Sequence, residues 1–137
     1  MEISENNINK ALSYLENLKE DSYTRLIDSL VEEQAYLSTF VQQNLDYLFQ
    51  EQEPLKDFTF NLYTFVLYLF KQKQGNSYPI VTKAHLEEIL KLSEFDNPYE
   101  NLGDFIFSQL LNQNFAKEDI LQSIDLLKVV INTLERP

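Results

Sequence analysis

Cysteine is absent from this chain, and with it disulfides, thiol chemistry and zinc sites built on cysteine. Only two glycines and four prolines stand among the 137 residues, too few for the many tight turns of a sandwich or barrel. Gly75 and Gly103 stand alone, so there is no glycine-rich phosphate loop, and no serine sits in a nucleophile elbow. Bases are scarce: 11 against 22 acids gives a net charge of -11, which repels phosphate backbones and anionic membrane surfaces. Neither a nucleic acid nor a membrane is therefore an expected partner. The opening MEISENNINK is acidic and polar, without the basic start and apolar stretch of a signal peptide. A cytoplasmic location is expected.

What is present is a globular composition, 44% apolar and 24% charged. The length suits one domain with a sizeable core. No repeat, low-complexity segment or interior boundary divides it, so residues 1–137 are read as a single all-helical domain. The expected architecture is all-α, a compact bundle of five or six helices around a buried central one at about residues 57–74.

That central segment, DFTFNLYTFVLYLFKQKQG at residues 57–75, is the only one apolar on nearly every side. Wound as a helix it keeps a single narrow polar line, Asp57, Asn61, Thr64, Tyr68 and Lys71. Phe58, Phe60, Leu62, Tyr63, Phe65, Val66, Leu67, Leu69 and Phe70 cover the rest, as in a helix buried against several neighbours. The run breaks the two-residue period of a strand and falls short of the roughly 20 apolar residues of a membrane span. Lys71, Lys73 and Gly75 suit its C-terminal end.

Before it, Ile8, Leu12, Leu15, Leu18, Tyr23, Leu26, Leu30, Leu37, Val41, Leu45 and Leu48 keep a helical rhythm, with Gln34 standing where one more apolar residue is due. A break is expected at Glu20-Asp21-Ser22, where Asp21 or Ser22 caps a second helix reaching to about Gln50, its face widened by Ala35, Tyr36, Phe40 and Phe49. Pro54, in the short loop at residues 51–56, separates that helix from the central one and sets the two antiparallel. After Gly75 the chain is expected to run extended through Pro79, and Thr82 to cap a short helix from Lys83 to about Leu92. Asn97 is read as the cap of a further helix, with Pro98 first and Glu100 reaching back, and Phe105, Ile106, Leu110 and Leu111 as its buried face. The last helix, from about Ala116 to Glu135, is expected to bury Ile120, Leu121, Ile124, Leu127, Val130, Ile131 and Leu134, with Arg136 at its end.

Chemistry is thinly represented. His85, the only histidine, shares a helix face with Glu88, but a helical di-metal site needs further Glu-x-x-His pairs. Asp96, Glu100 and Asp104 form an acidic turn without the spacing of a calcium loop. Glu32 and Glu33 are adjacent and point apart. No catalytic, cofactor-binding or metal residue is assigned, and no enzyme activity is expected. Function is expected to lie in the aromatics and the charge. Tyr14, Tyr36, Tyr47 and Tyr99 are candidates for an exposed binding surface. The acidic helices of residues 1–50, nine acids against three bases, favour a basic protein partner, with self-association the other possibility. The alternative is a carrier of an apolar small molecule, held in an aromatic-lined cavity beside Phe65.

Overall fold

The computed structural model describes residues 3–92 and 99–135. These residues form seven α-helices and no strand: α1 (Glu5–Glu16), α2 (Glu20–Glu33), α3 (Ala35–Phe49), α4 (Glu53–Gln74), α5 (Lys83–Leu90), α6 (Glu100–Leu111) and α7 (Lys117–Glu135), with a 3-10 turn at Gly75–Ser77. The helical bundle is as expected. The count exceeds five or six because three helices, not two, precede the central one.

The first break comes a few residues early. Asn17 turns its side-chain amide onto the Ser13 carbonyl at 2.8 Å, competing with the helix ladder, and α2 resumes at Glu20 without a side-chain cap from Lys19. The second break was not foreseen, and it falls on Gln34, whose backbone leaves helical geometry at φ -107 and ψ 49. Its side chain is fully buried. The amide donates to the Pro79 carbonyl and accepts the Val81 N–H at 3.0 Å. Gln34 thus satisfies two backbone groups of the extended strip that follows Gly75, groups that have no helix or strand ladder to pair with. A residue that looked like a lapse in the apolar rhythm is the fastener between the α2–α3 corner and that strip.

The central helix starts at Glu53, earlier than residue 57, because Pro54 lies within its first turn rather than in a loop. A first-turn N–H has no helical acceptor, so proline is tolerated there. Every residue from 62 to 70 is buried, and α4 packs against α1, α2, α3 and α7. The expected polar line is thinner than its sequence suggests. Asp57 and Asn61 are exposed, but Thr64 is buried with its hydroxyl donating to the Asn61 carbonyl at 2.8 Å, and Tyr68 is buried beneath Tyr14. Gly75 ends the helix at φ 54, a conformation that strains residues carrying a Cβ.

Paired contacts give the directions. Ser38 bonds Tyr63 at 2.8 Å and Asp46 pairs with Lys56 at 3.2 Å, so α3 runs antiparallel to α4 as expected. Thr59 meets Ser123 at 3.1 Å and Gln74 donates to the Leu134 carbonyl at 3.0 Å, so α7 runs parallel to it. Tyr63, Phe49 and Phe70 are the largest fully buried side chains, and Phe65 is nearly so at 6% exposure.

Several expected positions are corrected. Leu111 and Leu121 are about half exposed, at 49% and 48%; each ends up on the outer side of its helix. Thr82 caps α5 as foreseen, accepting from the His85 N–H at 3.2 Å. The α6 helix begins at Glu100, with Tyr99 in the cap position and no side-chain cap. Asp96, Asn97, Pro98 and Arg136 lie outside the described residues.

Candidate functional site

The α1 helix is capped by Ser4, whose hydroxyl accepts the Asn7 N–H while the Asn7 side chain takes the Ser4 N–H. The helix packs on α4, with Tyr14 stacked on Tyr68, ring centroids 6.1 Å apart and planes 7° from parallel. Only Ile8, Ala11 and Leu15 of α1 are buried. Ala11 occupies a core-facing position with a single methyl and is among the residues lining a groove of about 760 Å³ between α1 and the C-terminal half of α4. Its floor is apolar and buried: Ile3, Ala11, Tyr68 and Leu69, with Leu26 of α2 alongside. Its rim is polar: Asn7 and Lys10 from α1, Gln72 and Lys73 from α4. Two lysines and no acidic residue are among the described lining residues, and of the two the Lys73 ammonium is buried.

Burial pushes the Tyr68 hydroxyl above its ordinary pKa, and the neighbouring Tyr14 adds to the shift. Lys73 holds its ammonium 4.5 Å from the centre of the Tyr99 ring. Tyr99 in turn sets its ring edge-on to Phe70 at 5.5 Å. Tyr99 is thus a packed residue rather than an exposed one, which corrects its place among the candidate surface tyrosines.

A second, smaller groove of about 380 Å³ opens on the other flank of α1, where Leu15, Tyr23 and Phe58 meet Phe65. Space therefore exists beside Phe65, in a groove open to solvent, but the larger volume lies a turn further along α4. Phe65 itself packs on Phe105, ring centroids 5.2 Å apart.

The remaining tyrosine candidates divide by place. Tyr14 is 53% exposed and borders the large groove. Tyr36 and Tyr47 lie on α3, and at 100° per residue they and Phe40 fall within about 40° of one another. They make a ridge on its outer side, with Tyr47 the most exposed at 81%. Residues 1–50, which include α1, α2 and α3, carry a net charge of -6.

A buried polar cluster sits at the corner held by Gln34. Tyr63 and Ser38 share a hydrogen bond, and Ser38 also donates to the Val31 carbonyl at 3.1 Å. Glu33 pairs with Lys71 at 3.0 Å. Burial raises the Tyr63 hydroxyl strongly, opposed by its Ser38 bond. Burial pushes Tyr78 up to about 12, with the neighbouring Gln34 amide opposing and the Glu33 carboxylate adding to the rise. These groups join helices and open onto no groove described here.

His85 sits in the first turn of α5, and Glu88 pairs with Lys91 at 3.1 Å. Glu100 and Asp104 are exposed. Among the described residues no three histidine, aspartate or glutamate side chains gather as metal ligands would, and no helix is long and apolar enough to cross a membrane. Comparison with protein families, curated proteins and solved structures finds no match to this chain.

Sequence reasoning missed the large groove because it is formed jointly by residues of α1, α2 and α4, whose spacing no local pattern reports. The one available signal was an alanine in the series Ile8, Ala11, Leu15, opposite the tyrosine at position 68.

Proposed function

We propose that the protein is a non-catalytic protein–protein interaction module of the cytoplasm, and that it takes a basic partner on the outer side of α3. The observation that carries this reading is the ridge of Tyr36, Phe40 and Tyr47, because Tyr47 at 81% exposure contributes almost nothing to the core. Tyrosine combines a large apolar body with a polar tip and is favoured at interfaces. Residues 1–50 carry a net charge of -6, with Asp46 the one acid on α3 itself, and that charge favours a basic partner over a second acidic copy of the chain. Self-association through this ridge is the weaker option for that reason.

The test is site-specific photo-cross-linking in the native cell, with the reactive group at position 47 or, as control, at the exposed Gln122 on α7. A basic protein captured at 47, absent at 122 and released by moderate salt, is the expected result. Equal capture at both positions, or capture only of the chain itself, would end this reading. A second reading, carriage of a small apolar molecule, is favoured by the groove of about 760 Å³ over α4, a volume in the usual range for ligand pockets.

A further inference from the structure

A short turn at residues 112–116 joins α6 to α7, and the two helices pack together, so they lie antiparallel. At 100° per residue, Glu100, Asp104, Phe107 and Leu111 of α6 fall within an arc of about 60°, and Lys117, Leu121, Ile124 and Lys128 of α7 within an equal one. Phe107, Leu111 and Leu121 are each close to half exposed. The middle of this outer face is therefore apolar and only partly used by the core. Between the helices runs a cleft of about 210 Å³ whose lining includes Phe107 and Ile124, with Asp104 on one wall and Lys128 on the other. We propose that this face binds the same face of a second copy of the chain, the two related by a two-fold axis along the α6–α7 seam.

The charges argue for a second copy rather than a different partner. Acids outnumber bases 22 to 11 in the chain, yet this face carries both acids of α6, Glu100 and Asp104, and both lysines of α7, Lys117 and Lys128. Glu135 shares the α7 arc but lies at its far end, beside Tyr99. Although Asp104 and Lys128 line one cleft, they are not paired with each other, and neither has an ion-pair partner among the described residues. A two-fold interface must be complementary to itself. Rotation about the seam lays α6 of one protomer over α7 of the other. Asp104 of each then meets Lys128 of the other, while Phe107 and Leu111 of each cover Ile124 and Leu121 of the other. A uniformly basic partner would set like charge against Lys128, and a uniformly acidic one would do so at Asp104.

The experiment is sedimentation equilibrium of the full chain over a concentration series, with helix content followed by circular dichroism. Two helices per protomer make an interface at the small end of the stable range, so dimers are expected to appear between about 10 µM and 1 mM. Phe107→Ser should weaken association about 30-fold or more. Asp104→Lys or Lys128→Glu alone sets like charges together at two symmetric places and should weaken it about tenfold. Mixing those two variants in equal amounts rebuilds both pairs, and heterodimers should form about as readily as dimers of the unaltered chain.

A chain that stays monomeric throughout the series, or dimers indifferent to Phe107→Ser, overturns the proposal. So does a mixture that associates no better than either charge variant alone, since mixing restores a pair only across two protomers. That mixture keeps the test decisive even where Phe107→Ser loses its helix content.

Discussion

The helices α1 and α4 touch along the Tyr14–Tyr68 stack, yet they are built to opposite rules. Every position of α4 from 62 to 70 is buried against four other helices, so its sequence carries large apolar side chains on all sides. The α1 helix buries only Ile8, Ala11 and Leu15 and has an open groove on each flank. The difference teaches where each kind of information resides. An all-round apolar helix specifies the fold and offers a ligand only the strips that its neighbours leave uncovered, such as Tyr68 and Leu69. A helix that clasps it along one narrow stripe contributes less to stability and leaves space that a ligand can occupy.

The largest expected effect tests that contrast directly. Phe70 is fully buried, and Phe70→Ala should cost about 3 to 5 kcal/mol in a denaturant titration. Phe65→Ala should fall at the low end of that range, since the ring borders a solvent-open groove where water can enter. Ile8→Ala on α1 should cost about 2 kcal/mol, because a helix with open flanks can settle onto the smaller residue. An Ile8→Ala cost equal to that of Phe70→Ala would show α1 to be as much a part of the core as α4.

Next in size is the corner between α2 and α3. Gln34→Leu keeps bulk but removes the partners of the Pro79 carbonyl and the Val81 N–H. Leaving buried backbone groups unsatisfied should cost about 2 to 3 kcal/mol and expose residues 76–82 to proteolysis. A neutral or stabilising result would mean that water satisfies those groups and that the amide is not what holds the strip.

How much of this was legible in the sequence follows from which kind of force is involved. The central helix was readable because hydrophobic burial leaves a pattern in one segment, and Thr82 as a cap was readable because capping is local. Gln34 was visible only as an anomaly, since its partners lie 45 and 47 residues away. Pro54 was misread as a loop residue because a proline that ends one helix and one that starts the next look alike without geometry. The groove was illegible because its lining comes from segments far apart in the chain, Ile3 to Tyr14, Leu26 and Tyr68 to Lys73, whose spacing is set by tertiary packing. Leu111 and Leu121 kept the rhythm of a buried face but fell on its margin, where period alone does not discriminate.

A milder effect separates the buried tyrosines from the rest of the fold. Tyr78 is pushed up to about 12 and Tyr63 is raised still more strongly, burial being the main cause for both, against about 10 in an unfolded chain. The folded state therefore keeps protons that the unfolded state has lost, so their contribution is complete below pH 10 and declines as pH rises toward 12. Denaturant midpoints should fall between pH 9.5 and 11.5, and less steeply in Tyr78→Phe. A slope unchanged in that variant would remove Tyr78 as a source of the alkaline loss.

The smallest stability effect belongs to the face expected to matter most for binding. Tyr47→Ser should change stability by no more than about 0.5 kcal/mol, because the ring is 81% exposed. The same substitution, combined with Tyr36→Ser, should abolish capture of a basic partner by a photo-reactive group at the adjacent exposed Gln43. Stability and binding then separate on a single helix: α3 anchors to α4 through Ser38 and Asp46 and presents its tyrosines outward. A large stability loss on Tyr47→Ser would instead make the ridge part of the packing and leave α3 without a surface to offer.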